Sequence, residues 1–159
     1  MSKLELSIEV EVLSFGELPE EKQLLIIKAQ EAAMQSYSPY SGFSVGAALR
    51  LDNGEVIAAN NQENAVFPAG LCAERVTLFY AKAKYPNVGI KSMAIAARNS
   101  EGFTSIPVTP CGSCRQVMME MTHRQAMPIE LLLYGRDKVY IVPDATSLLP
   151  LQFDQDSMQ

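Results

Sequence analysis

The sequence predicts an α/β fold: a single three-layer α/β/α domain spanning 1–159, with a mixed sheet of about five strands and an extra N-terminal strand or arm. Two strand-like runs flank the turn Asp52-Asn53-Gly54, which is a hairpin signal. Further along, apolar runs alternate with helix-period segments, the pattern of helices covering a sheet. At 159 residues, 48% hydrophobic and 19% charged, the chain is long enough for one full core and short for two. It has no internal repeat, linker or low-complexity segment.

Taken in order, Leu4, Leu6, Ile8, Val10 and Val12 alternate with polar residues, the period of a half-buried strand. Residues 1–17 are therefore expected to form an edge strand or arm. LPEEKQLLIIKAQEAAMQSY opens with proline and two glutamates, as a helix start prefers. Its Leu25, Ala29, Ala32 and Ala33 form a core-facing stripe. Pro39 and Gly42 end that helix, and FSVGAALRL and EVIAANN form the hairpin. QENAVFPAGL is a loop leading into GLCAERVTLFYAKAKY. There the spacing of Cys72, Val76, Phe79, Tyr80 and Ala83 predicts the buried side of a second helix. KSMAIAARN is an inner strand, and TPCGSCRQVMMEM opens a third helix buried along Cys114, Val117, Met118 and Met121. PIELLLYG and KVYIV are two more strands, DATSLLP a short terminal helix, and residues 150–159 a polar tail with one aromatic, Phe153.

A net charge of −5, with Lys and Arg scattered, gives no surface suited to a polyanion, so nucleic acid is not an expected partner. The first fifteen residues are too charged for a signal-peptide core, and no apolar run approaches the ~20 residues of a membrane span. Three cysteines, an odd number, cannot all pair in a disulfide framework. A cytoplasmic protein without a membrane partner is expected, its Cys-x-x-Cys serving metal or redox chemistry.

All three cysteines, Cys72, Cys111 and Cys114, fall at expected helix starts. A catalytic zinc keeps three protein ligands and an open position, whereas structural zinc is closed by four. A closed Cys₃His site would need His123, nine residues past Cys114. Along one helix that is roughly 13 Å, so an open three-thiolate site fits better, with His123 beside the helix C-terminal dipole. Cys111 and Cys114, at i and i+3, share a helix face. Cys72 and Glu74 would point about 200° apart on a regular helix, so they can serve one site only if the helix starts within a residue or two of Cys72. Two helix N-termini converging on one metal would favour thiolate. Three thiolates leave a net −1 around Zn²⁺, which works against ionising a bound water. Arg75 could offset this through hydrogen bonds to sulfur; the alternative is a surface arginine in an ion pair. Glu74 could carry protons.

YSPYSGFSVGAAL, NQENAVFPAGLCAER, TPCGSCRQ and LLPLQF, in that order, closely resemble the blocks of cytidine deaminases, small free-nucleoside enzymes of the zinc-dependent deaminase superfamily with its Pro-Cys-x-x-Cys signature. Cysteine rather than histidine at the first ligand position resembles the small tetrameric branch. The resemblance implies one Zn²⁺ per subunit on Cys72, Cys111 and Cys114, with Glu74 as proton shuttle. It implies ribose contacts from Asn61 and Glu63, a pocket wall from Phe43, and the Ala73 backbone facing the pyrimidine. Ala65, Phe67 and Phe153 would complete pockets of neighbouring subunits in a homotetramer, with Phe153 stacking on the base. The implied reaction is hydrolytic deamination of cytidine and 2′-deoxycytidine in pyrimidine salvage, by zinc-bound hydroxide attack at C4. Two features depart from the family pattern: Phe67 stands where many relatives have tyrosine, and the N-terminal segment is longer than the family core needs.

A blasticidin-S-type deaminase shares the Cys-x-Glu and PCGxCRQ motifs, but the Asn61/Glu63 pair argues against it. A nucleic-acid base deaminase is disfavoured by the acidic balance. A non-catalytic zinc or redox module would use Cys111 and Cys114 but leave Glu74 and the ribose pair unexplained.

Overall fold

Three helices sandwich one seven-stranded sheet in the structure, a computed structural model describing residues 1–159. The strands are β1 (Glu11–Leu13), β2 (Ser44–Leu51), β3 (Val56–Asn60), β4 (Ile90–Asn99), β5 (Gly102–Phe103), β6 (Glu130–Tyr134) and β7 (Val139–Val142). The helices are α1 (Glu20–Ala33), α2 (Ala73–Lys84) and α3 (Gly112–Gln125). The strand order is β1-β7-β6-β4-β2-β3, with β5 paired to β4. Only β4 and β6 run parallel, and α3 makes the crossover that a parallel pair requires. The five expected strands are present; β1 and the two-residue β5 bring the sheet to seven.

The hairpin forms where the sequence predicts it. Gly54 takes φ +86, and Asn53 Oδ1 accepts from the Glu55 amide at 3.1 Å. α1 packs on one face, where Leu25, Ile26 and Ala29 meet Ala48, Ala94 and Leu132. Gly46 permits this close approach, because a Cβ there would lie 1.9 Å from the Ala29 carbonyl oxygen. On the opposite face, Leu78 of α2 and Met118 of α3 join Leu49, Ile95 and Leu133. Burying each such side chain contributes roughly 1.5–3 kcal/mol.

Three expectations are corrected. The N-terminal strand is short: only residues 11–13 pair, and residues 1–10 form no regular structure and are exposed. The register Glu11↔Ile141 would bring Glu9 opposite Pro143, which has no amide to donate. Helix α2 buries a different face from the one expected. Ala73, Glu74, Thr77, Leu78 and Ala81 turn inward, while Phe79, Tyr80 and Ala83 are exposed and Cys72 and Val76 half-buried. Small residues on the inner face let α2 lie close to the alanine-rich β2, with the Thr77 hydroxyl satisfied by the Ala73 carbonyl at 2.7 Å. Finally, Ala145–Leu148 is a 3₁₀ turn, and Gln155–Met158, in the tail, forms another. No helix is long and apolar enough to cross a membrane.

Candidate active site

The starts of α2 and α3 are built alike. Cys72 and Cys111 are their N-cap residues, with φ/ψ of −67/151 and −67/165. Each cysteine carbonyl accepts the first helical hydrogen bond, from Val76 N at 3.1 Å and Arg115 N at 3.0 Å. Extended cap geometry places Cys72 outside the helical spiral, so the 100° step per residue does not separate it from Glu74. Both side chains face one cavity of about 290 Å³, together with Cys111.

The three sulfurs lie within 4.8 Å of one another: Cys72 to Cys111 at 3.8 Å and Cys111 to Cys114 at 3.5 Å. All three thiols are free. A tetrahedral zinc with sulfur bonds near 2.3 Å spaces its ligands by roughly 3.8 Å, so the donor set fits that ion. Among the thiols themselves, charge is shared unequally. Contact with Cys114 is the main cause that draws Cys72 down to about 5; burial opposes it, and Arg75 and Cys111 reinforce it. The same contact, with burial, pushes Cys114 up. One thiolate is therefore favoured by the cluster alone, and a divalent cation is what would displace the remaining protons.

Arg75 reaches this cluster: its Nη2–H donates to Cys72 Sγ at 3.7 Å, and its buried Nε has no protein partner. Glu74 is 5% exposed. Burial pushes its carboxyl above the ordinary range, and the charge on Cys72 adds to the effect. His123 lies in the last turn of α3, 3.3 Å from Gln152 Nε2, and is not among the clustered ligands.

The residues expected to hold a sugar are tied to the loop that precedes β2 and to the start of that strand. Asn61 Oδ1 accepts from Val45 N at 2.8 Å, and its Nδ2–H donates to the Phe43 carbonyl at 3.0 Å. Glu63 accepts from Tyr40 N at 2.8 Å, from Ser41 N at 3.3 Å and from the Ser41 hydroxyl. That hydroxyl is the main cause holding the Glu63 carboxyl below the usual range. Asn61, Glu63 and Phe43 all line the cavity. Each polar side chain keeps hydrogen-bonding capacity to spare, so a structural and a ligand-binding use are compatible.

Ala65, Phe67 and Phe153 are not brought to this cavity. Phe67 is 73% exposed and packs edge-on against Tyr40 with ring centroids 5.8 Å apart. It borders an adjoining hollow of about 360 Å³ that shares Ser41 and Glu63 with the first. Phe153 is 62% exposed, with its carbonyl accepting from Gln116 Nε2 at 2.8 Å. Sequence reasoning missed Ser41, Val45, Ile95, Val108 and Thr109 as lining residues. Thr109 and Ser41 sit inside segments already singled out, but no spacing rule marks which loop side chains face inward.

The family model for the cytidine and deoxycytidylate deaminase zinc-binding region matches residues 19–128. This chain belongs to that family. A cytidine deaminase from Halalkalibacterium halodurans is 43% identical over 103 residues, covering 64% of this chain and 72% of the relative. A probable cytidine deaminase from Dictyostelium discoideum is 30% identical over 140 residues, covering 87% and 88%. Among solved structures, the cytidine deaminase from Burkholderia pseudomallei superposes with a TM-score of 0.72 at 35% identity, over 86% of this chain and all of that one. The Mycobacterium tuberculosis cytidine deaminase gives 0.63 at 29% identity, over 82% and 95%. The deaminase family thus shares this fold through both helix starts that carry the cysteines.

Proposed function

We propose that this chain hydrolyses cytidine and 2′-deoxycytidine to uridine and 2′-deoxyuridine with release of ammonia, as a cytoplasmic homotetramer with one zinc per subunit in pyrimidine salvage. The observation that carries this reading is a buried carboxyl, Glu74, opening into the same cavity as the sulfur cluster. Zinc held by Cys72, Cys111 and Cys114 would supply Lewis acidity, making a water nucleophilic near neutral pH. Glu74 accepts a proton from that water as its oxygen bonds to C4, and delivers the proton to the ring nitrogen N3. The second water proton then travels by the same carboxyl to the 4-amino group, the C4–N bond breaks, and ammonia leaves. A carboxyl pushed up by burial suits this work, since it holds a proton at a pH where an exposed glutamate would not. Arg75 donates to Cys72 Sγ, which would reduce the charge that three thiolates place on a bound metal. Asn61 and Glu63 meet the sugar hydroxyls and Phe43 borders the base, while Ala73, buried and not part of the cavity lining, offers at most its backbone between Cys72 and Glu74. Ala65, Phe67 and Phe153 are left to serve neighbouring subunits, and the exposed Phe79–Tyr80 stripe of α2 suits burial against another copy.

The test is the loss of cytidine absorbance on adding protein, with and without a zinc chelator. Turnover that the chelator stops is expected, and no ammonia from either nucleoside would overturn the reading. A blasticidin-S-type deaminase is a second reading, in which Asn61 and Glu63 would serve only to brace residues 40–45. Competition between cytidine and blasticidin S separates the two.

A further inference from the structure

Immediately after the ligand Cys114, one side chain joins two segments that are far apart in the chain. The Arg115 guanidinium donates from Nε to the Pro110 carbonyl at 2.8 Å, from Nη1 to the Leu148 carbonyl at 2.8 Å and from Nη2 to Thr109 Oγ1 at 3.2 Å. Pro110 and Thr109 are the two residues before Cys111, and Thr109 lines the cavity. Leu148 ends the last 3₁₀ turn before the tail. The next residue, Gln116, holds the tail further on through the Phe153 carbonyl. A rigid planar fork with donors in fixed directions can hold three well-separated acceptors at once, whereas an ammonium gathers its three donors on one nitrogen at the end of a flexible stem. No carboxylate pairs with Arg115: its donors go to two carbonyls and one hydroxyl. Because Thr109 Oγ1 accepts from the guanidinium, its own proton is free to point elsewhere.

We infer that Arg115 is a positioning residue. It locks the cavity wall at Thr109–Pro110 to the root of the C-terminal tail, with Gln116 as a second latch, so that wall and tail move as one unit. The inference rests on the proposed deaminase reading and deepens it. In that reading Phe153 of the tail serves a neighbouring pocket, so holding the tail bears on substrate affinity. The sulfur cluster and Glu74 do not touch the guanidinium, so loosening it displaces the wall more than the reacting groups.

The experiment uses the full-length, zinc-loaded protein. Arg115→Met is expected to raise KM for cytidine roughly tenfold or more, the scale of one charge-assisted hydrogen bond, with kcat changed much less and zinc content intact. Arg115→Lys should recover part of the loss. Chymotryptic cleavage at Leu151 or Phe153, read by mass spectrometry, should quicken in Arg115→Met and in Gln116→Leu; it needs no substrate. Combined with Gln116→Leu, either Arg115 variant should raise KM by less than the product of the two single effects. Strictly multiplicative effects, an unchanged cleavage rate, or a loss confined to kcat would overturn the inference. If Arg115→Met does not fold, the lysine variant and Gln116→Leu carry the same test. A wild-type protein inert toward cytidine, whose variants still shed the tail faster, would instead remove the deaminase reading and leave the clamp standing.

Discussion

The starts of α2 and α3 share a cysteine N-cap and the same backbone geometry, yet they present different groups. At α3 the residues after the cap, Gly112 and Ser113, are exposed, and the chain returns a second sulfur one turn later at Cys114. In the proposed reading that start would be a two-point clamp for a metal. At α2 the cap offers one sulfur, and the following turn buries Ala73 and Glu74 against the sheet while Arg75 reaches back to the sulfur. In the proposed reading this second start would add proton transfer and charge adjustment. The difference lies in which residues the sheet covers: α2 is pressed onto β2 and β3 from its first turn, and burial there pushes the Glu74 carboxyl above the ordinary range.

Removing a clamp ligand should break the comparison most completely. Cys114→Ser is expected to lose zinc, measured by metal analysis, and to lower turnover by roughly 10⁴-fold or more; near-normal zinc content would show that the α3 pair is not the clamp. Glu74→Gln should keep zinc and fold while kcat falls by about 10²–10⁴-fold. Full activity in that variant would sink the division of labour between the two helix starts. Arg75→Gln, which removes the charge beside Cys72, should cost about 10–100-fold in activity or metal affinity, read by steady-state kinetics and chelator competition.

The smallest effect is on stability and follows from the direction of the Glu74 shift. Burial raises this carboxyl in the folded chain relative to the unfolded one. Its favourable contribution is then fully present below the unfolded pKa and is lost as pH rises through the folded value. After chelation, Glu74→Gln should therefore resist urea better than wild type at pH 7, and the gap should close toward pH 4. Equal midpoints at both values would place Glu74 in a solvated setting and remove the contrast with α3.

Much of the site was legible because it is local. Cys72-x-Glu74 and Cys111-x-x-Cys114 are spacings, and the requirement that a helix begin beside Cys72 follows from the 100° step alone; α2 begins at Ala73. The hairpin at Asp52–Gly54 and the apolar runs of β4, β6 and β7 were equally plain. The buried face of α2 was misjudged because two stripes compete on that helix. Phe79 and Tyr80 are the more apolar, but the smaller Ala73, Thr77 and Ala81 are what a closely packed sheet accepts.

By itself the sequence determined the candidate reactive groups, the three long helices and the five longer strands, since these depend on neighbours a few residues away. Only the tertiary structure decided that Cys72 and Cys111, 39 residues apart, come within 3.8 Å. It also decided that Pro143 leaves the N-terminal segment unpaired beyond Glu11, that Asn61 and Glu63 brace the loop before β2, and that Arg115 reaches Leu148. Each of these depends on which surfaces of the sheet and helices meet. That choice is made by packing and hydrogen-bond satisfaction over the whole chain, which no spacing along the sequence encodes.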